Sequence, residues 1–441
     1  MAANESALQR LLARACDIRP EEVRATLASF SLVLVLMASY YVLRPVRDAM
    51  ASDWTDAEVS WLWTFTFFFS AAAVSLYGAA VARFSVKKLV PGVYAFFGLT
   101  FALFYVGTQI AEDRTLVDKS FYVWVSLFAL FHISVFWSFM SDTFSQPQSK
   151  RLFAFIGAGA SVGAIGGPAF ASLLAGTSST DAMLLISTVV ILAALPLVIW
   201  VQHLKSTELH NQTVHASSTD FEYVGGNPFA GFAEFVKNPY LLGIGVFILL
   251  YTSISSFVYF ELKNLMVDYT REERAQIWAQ VDLLVNALTL IIGMFVTGRI
   301  ATRMGLPFTL ASVPMLICVG MLLLMAAPSV AAVIAIQVVR RVGNYAVSRP
   351  AREMLFTAVD RETRFKAKPV IDIVVYRGGD MLNAWAFTLL TQGLGLSLGA
   401  AAGVGAGIAL LWAGTGVALG RSFERREEAA GLSAPSSTQS H

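Results

Sequence analysis

Two adjacent arginines, Arg340 and Arg341, interrupt an otherwise apolar stretch, and Arg377 and Asp380 interrupt another further along. A charged side chain costs several kcal/mol inside a membrane, so chains that keep one generally use it. The planar fork of arginine binds carboxylate or phosphate through two parallel hydrogen bonds. Asn344, four residues after Arg340, shares its helix face, and Arg377 and Asp380, three apart, share another. Tyr345 and Tyr376 stand beside these groups, where a tyrosine ring can stack on a planar ligand. If the first stretch begins at residue 329, the 1.5 Å helical rise puts Arg340 roughly 16 Å from the outer membrane face. If the second begins at 369, Arg377 and Asp380 lie roughly 12 and 17 Å from the inner face. All would meet at one level. Either Asp380 neutralises Arg340 or Arg377 as a structural pair, or three arginines facing one aspartate hold an anionic solute. The cationic surplus favours the second.

A second charged group falls toward the outer ends of other apolar stretches: Arg44, Arg47 and Asp48, then Glu261 and Lys263, then Asp282 with Asn286. Tyr40, Arg44 and Arg47 are spaced i, i+4, i+7 and so share a helix face. Pro45 is expected to bend that helix, because it removes a backbone hydrogen bond. An outer gate that closes by pairing Arg47 with Glu261 or Asp282 is one reading of this group; interfacial anchoring is the other. His132 can relay protons or hydrogen-bond a neighbouring helix. His203, His210 and His215 have no cysteine or carboxylate companions in a zinc pattern, so no metal site is expected. No Gly-x-x-x-x-Gly-Lys-Ser/Thr loop occurs, which excludes an ATP-driven pump, and nothing implies a cofactor or enzymatic chemistry.

The elements that must position these groups are membrane helices. Of 441 residues 56% are hydrophobic and 14% charged, with a mean hydropathy of +0.62, whereas soluble domains carry about 25% charged residues. A net charge of +2 does not suggest nucleic-acid binding. Cys16 and Cys318 support neither a disulfide framework nor a thiolate metal site. Spanning about 30 Å of hydrocarbon takes about 20 apolar residues. Twelve segments fit, near 25–48, 59–82, 89–111, 120–141, 152–176, 181–202, 240–263, 275–298, 307–327, 329–350, 369–392 and 398–419. The expected fold is therefore all-α and polytopic, with the lipid bilayer as its surroundings.

Lys and Arg concentrate before the first span (Arg10, Arg14, Arg19, Arg24) and in the even-numbered loops (Arg83, Lys87, Lys88, Lys150, Arg151, Arg299, Arg303 and the turn at 349–368). The first loop is acidic, with Asp53, Asp56 and Glu58. By the positive-inside rule both termini are cytoplasmic. Residues 1–24 read as a cytoplasmic segment with a short amphipathic helix on Leu8, Leu11, Leu12 and Ala15, and 25–202 as a first six-helix half. Residues 203–239 read as a polar linker whose Phe229, Phe232 and Val236 mark an interfacial helix. A second half spans 240–420, and 421–441 should be a disordered tail.

The two halves can be superimposed as sequence. Ser39–Met50 (SYYVLRPVRDAM) matches Ser255–Met266 (SSFVYFELKNLM), and the loop at Gly78–Lys88 matches that at Gly298–Gly305. Six plus six spans in the same orientation form the parallel-repeat plan of a major facilitator transporter. The Gly-x-x-x-x-Arg loops resemble that superfamily's loop motif, with Ala82 and Thr302 in place of its acidic residue. Gly163-Ala-Ile-Gly-Gly167-Pro168 resembles its antiporter motif, although the alternative is plain close packing of helices through Gly-x-x-x-Gly, which Gly159 and Gly163 also offer.

The segment Tyr345–Met354 (YAVSRPAREM), followed by Asp360–Val375 (DRETRFKAKPVIDIVV), resembles the nucleotide (ATP/ADP) translocase family of plastids and intracellular bacteria. That family runs a Lys-Glu-Met triplet and a lysine-rich turn into an Ile-Asp-Val-Val helix. Leu43–Asp48 (LRPVRD) is similar to its first-span Leu-Arg-x-x-Lys-Asp signature, and Ser149–Phe153 to its Ala-Lys-Arg-Phe element. The resemblance implies exchange of anionic solutes by alternating access, with nucleotide as the family substrate, in a divergent bacterial-type member of an inner membrane acting as a monomer. It aligns Lys368 with a lysine of the functional turn and Arg47 with a first-span lysine. The family's span-four glutamate falls at Ser126, and its span-seven glutamate lies two residues from Glu261. Fold and transport carry over, with the substrate open between nucleotides and other anions. The alternatives are a proton-coupled permease or exporter using Asp282, Asp380 or His132, and a non-transporting membrane sensor.

Overall fold

The computed structural model describes residues 18–175, 179–209, 235–295, 297–359 and 370–433, and these form helices joined by short turns, with no strand among them. The helices are α1 (Val23–Met50), α2 (Asp56–Arg83), α3 (Val86–Ile110), α4 (Thr115–Thr143), α5 (Gln146–Ala175), α6 (Thr180–Leu192) and α7 (Ala194–Thr207). The second half of the sequence supplies α8 (Pro239–Leu265), α9 (Arg271–Phe295), α10 (Thr297–Ala326), α11 (Val330–Gly343), α12 (Arg349–Leu355), α13 (Tyr376–Thr388) and α14 (Leu398–Ser433). Ten helical stretches among the described residues are long and apolar enough to cross a membrane, where the sequence reading expected twelve. The expected linker helix at 227–236 and the amphipathic helix at 8–15 lie almost wholly outside the described residues, as does Lys368.

Local chemistry explains where the helices break. The chain turns at Ala193 between α6 and α7 because Pro196, one turn on, has no N–H to offer Leu192. Gly305 breaks α10 with φ of 77°, a left-handed conformation that suits a residue without a Cβ. The tenth expected span is not a uniform α-helix: α11 widens into a π-helical turn at Asn344–Ser348 before α12 resumes. A second π turn, Val370–Val375, leads into α13, and a third, Leu389–Gly393, ends it. Such π bulges are uncommon and gather at functional sites. Pro45, by contrast, sits inside α1 without interrupting it.

Two compact units emerge. The first comprises Met1–Asp53, Phe68–Gly225 and Tyr269–Leu283, and the second comprises Trp54–Phe67, Gly226–Asp268 and Leu284–His441. Each therefore contains a helix start drawn from the other half of the sequence: the opening turns of α9 build into the first unit, and those of α2 into the second.

In the first unit α1 and α5 are held almost in backbone contact. A Cβ placed on Gly159, Gly163 or Gly167 would come within 2.5 to 2.9 Å of the carbonyl oxygens of Phe30, Leu34 and Ala38 or, at Gly163, closer still. Steps of four on one helix thus meet steps of four on the other, so these glycines serve helix packing. Gly163→Val should drive the helices apart and lower the melting temperature in detergent, whereas Gly166→Ala, where a Cβ would meet nothing within 4 Å, should leave it unchanged.

In the second unit the core gathers Phe247 and Tyr251 against Trp412, and Phe257 and Phe260 against Phe387. The tail expected to be disordered from residue 421 is instead helical as far as Ser433. Phe423 is buried and the Arg426 guanidinium lies 4.3 Å from the centroid of the Tyr240 ring, so apolar burial and a cation–π contact carry α14 beyond the expected span end.

Candidate functional site

The second unit places Arg340 on α11 with only 4% of its surface exposed. Its guanidinium donates to Gln337 Oε1 at 2.7 and 3.2 Å, to Ser255 Oγ at 2.8 Å and to the Tyr251 hydroxyl at 3.3 Å. Every one of these partners is neutral. The direct neutralisation of Arg340 by Asp380 that the sequence left open is therefore not made. Asp380 lies instead 3.9 Å from Arg377, one turn back on α13, and both are partly exposed. Tyr251 and Tyr376 stand with ring centroids 6.0 Å apart beside these charges. Glycine at 379 brings α13 against α8, since a Cβ there would come 2.5 Å from Thr252 Oγ1. Asn383, on the same helix, accepts from Ser253 at 2.8 Å and donates to Thr252 at 3.1 Å. Arg341 is buried, Asn344 opens the π turn one helical turn from Arg340, and Tyr345 is 37% exposed. Two arginines thus flank one aspartate across α11 and α13, on a polar bed of serine, threonine, asparagine, glutamine and tyrosine.

The first unit holds the other group. Tyr40 stacks on His132 with centroids 4.7 Å apart, and His132 Nδ1 is 3.1 Å from the Phe128 carbonyl of its own helix. The His132 ring thus meets the neighbouring helix by aromatic stacking and keeps its own hydrogen bond within α4, while the His132 backbone carbonyl accepts from the Tyr94 hydroxyl on α3 at 3.0 Å. The pairing expected of Arg47 with Asp282 is made by Arg44, at 3.3 Å, with Asp48 at 3.5 Å on its other side. Arg47 bonds Asp48 at 2.6 Å and Ser126 at 3.2 Å and lies over the Tyr122 ring at 5.4 Å. Three helix positions, about 60° around the axis at about 100° per residue, separate the outcomes: Arg44 reaches Asp282 on α9 and Arg47 reaches Ser126 on α4. Arg271 joins Asp53 and Asp118, and Arg274 joins Asp53, which completes a charged cluster that sequence reading missed.

In the second unit Lys263 meets Asp56 at 2.8 Å, both buried, with Asn264 and Thr391 closing the remaining hydrogen bonds of Asp56. Asp56 entered the sequence reading only as a loop charge. Glu261, in contrast, is fully buried, and neither of its carboxylate oxygens has a hydrogen-bond partner among the described residues. Asn286, one turn beyond Asp282 on α9, is half-buried. No group of three or more metal-ligating side chains occurs among the described residues.

The missed partners of Arg340 did leave a trace: Tyr251 and Ser255 are four apart in an apolar run, and Gln337 lies three before Arg340. Polar side chains at helical spacing inside a span are the signal that would have found them.

The sequence profile of the Major Facilitator Superfamily matches residues 29–354, most of the chain. The protein belongs to that superfamily. None of the curated proteins compared matches it. Among solved structures it is similar to a bacterial homolog of the human lysosomal transporter Spinster in an inward-facing, unoccupied conformation. The identity there is 13% and the TM-score 0.62, over 93% of this chain and 99% of that one. It is likewise similar to the nucleoside transporter NupG, at 16% identity and a TM-score of 0.57, over 93% of this chain and 100% of that one. At such identities the likeness is one of fold. By family and fold this major facilitator protein is an integral membrane transporter.

Proposed function

We propose that this transporter moves an anionic solute by alternating access, and that Arg340 is the group that holds the anion. The observation that carries the reading is the Arg340 environment: a buried guanidinium near the middle of the apolar span Val330–Leu355, bonded only to neutral groups, with Arg377 adding a second positive charge against one aspartate. A buried cation without a direct counter-ion is costly, and an incoming carboxylate or phosphate would offset that cost with charge-assisted hydrogen bonds. Tyr251 and Tyr376 add aromatic surface for a planar moiety. Organic phosphates, nucleotides among them, combine both features, and the resemblance of residues 345–375 to ATP/ADP translocases points the same way. The molecule then works as twelve spans in two six-helix repeats joined by the 203–239 linker, as a monomer in a bacterial inner membrane with both termini cytoplasmic.

Counterflow tests the substrate. Labelled ATP should enter proteoliposomes loaded with ADP faster than empty ones, and faster than a panel of carboxylates competes. Absence of counterflow with every nucleotide, together with uptake of another organic phosphate or carboxylate, would remove nucleotides and keep the anion site. No uptake of any anion would remove the site's proposed role.

A further inference from the structure

Glu261 sits near the end of α8, fully buried, with both carboxylate oxygens lacking a donor among the described residues. The charged group acting on it is another carboxylate, Asp56. Lys263, two residues on and so on a different helix face, directs its ammonium to Asp56 and Asn264. Among the described residues, the elements packed around this end of α8 in the second unit bring no other cation. At the start of α2, Glu58 is held by the N–H and hydroxyl of Thr55. Ahead of Arg340, α11 carries no charge, and α14 carries none before Arg421. Arg377 and Asp380 on α13 face one another. Two carboxyl groups therefore share one ammonium, and the cluster is electrically neutral only when one carboxyl carries a proton. Asp56 accepts from Lys263, Asn264 and Thr391, which suits an ionised carboxylate; Glu261 accepts nothing, which suits a carboxylic acid.

We propose that Glu261 is a proton-binding site: it carries a proton while Asp56 and Lys263 are paired and releases it when that pair opens, which makes proton movement a step of the transport cycle. The step is a simple dissociation, in which the O–H bond breaks, the proton leaves to water admitted by the opening, and the carboxylate left behind takes the Lys263 ammonium as counter-ion in place of Asp56. The same helix carries the signal inward. Ser255, which bonds Arg340, lies six residues before Glu261 on α8, roughly 9 Å along the helix axis. A shift of the α8 end on proton release would thus reach the partners of Arg340. The inference rests on the chain being a transporter and not on which anion it carries.

Infrared difference spectroscopy on the full-length protein in lipid membranes tests the proton. The wild type should show the carbonyl stretch of a protonated, unbonded carboxyl group at neutral pH; that band should vanish in Glu261→Gln, and should also fade in Asp56→Asn, which removes the competing carboxylate and leaves the Lys263 ammonium to Glu261. An unchanged band in Glu261→Gln would overturn the assignment. Because glutamine is nearly isosteric and neutral, the variant should keep its melting temperature at neutral pH; Glu261→Asp, with a shifted band, guards against a variant that fails to fold. Hydrogen exchange of the peptide covering residues 255–265, corrected for intrinsic rate, tests the linkage. Exchange should rise as pH rises in the wild type and stay flat in Glu261→Gln. The same pH dependence in both would overturn the link between the proton and the Asp56–Lys263 pair. Neither measurement uses an anionic substrate, so failure here and failure of the anion reading are distinguishable.

Discussion

Replacing Arg340 by glutamine should cut anion uptake into proteoliposomes by about a hundredfold. The estimate assumes two hydrogen bonds to a charged ligand worth about 1.5 kcal/mol each, and about 1.4 kcal/mol per factor of ten. Arg340→Lys should recover only a minor part, because an ammonium keeps the charge and loses the fork. Thermal stability should change little by comparison, since Gln337, Ser255 and Tyr251 are neutral and no orphan charge is left behind. Arg377→Gln should cost less uptake than Arg340→Gln, because Arg377 is more exposed and already faces Asp380 at 3.9 Å. Initial rates of uptake for whichever anion shows counterflow, with melting curves on the same preparations, decide the matter. Wild-type uptake in Arg340→Gln would make Arg340 a packing residue.

The opposite signature is expected at the Asp56–Lys263 pair. Lys263→Met should destabilise the protein by about 3–5 kcal/mol, because it strands a buried carboxylate beside a second acidic group. The double variant Lys263→Met with Asp56→Leu should regain most of that loss, since replacing both members of a buried pair by apolar groups is often nearly neutral. A double-mutant cycle on melting in detergent isolates the coupling. Additive losses would show that the two side chains stabilise independently. The pair matters because its partners come from different halves of the sequence and yet lie in one compact unit.

Much of this molecule was legible in its residue order, for definite reasons. Hydrocarbon demands long apolar helices, so composition and run length alone identify a polytopic membrane protein and place most helices within a few residues of where they form. The cost of intramembrane charge singled out Arg340, Arg377 and Asp380 without any knowledge of their neighbours. The helices that run differently do so through features hydropathy does not register: the π turns at 344–348 and 370–375 depend on packing, and the extension of α14 depends on Phe423 and Arg426 finding Tyr240.

Partnership was the part that residue order did not contain. Helical spacing tells which side chains share a face, but not which helix that face meets. Arg44 rather than Arg47 reaches Asp282, Lys263 finds Asp56, and Arg340 settles among Gln337, Ser255 and Tyr251 while Asp380 stays with Arg377. Each outcome turns on the rotation of one helix against another, which is set by close contacts such as those of Gly163 with α1 and Gly379 with α8. The sequence by itself determined the solvent, the helices and the residues whose charge needed an explanation. Only the tertiary structure decided which charges are neutralised and which are left for a solute or a proton, because pairing acts over a few ångströms between residues that lie far apart along the chain.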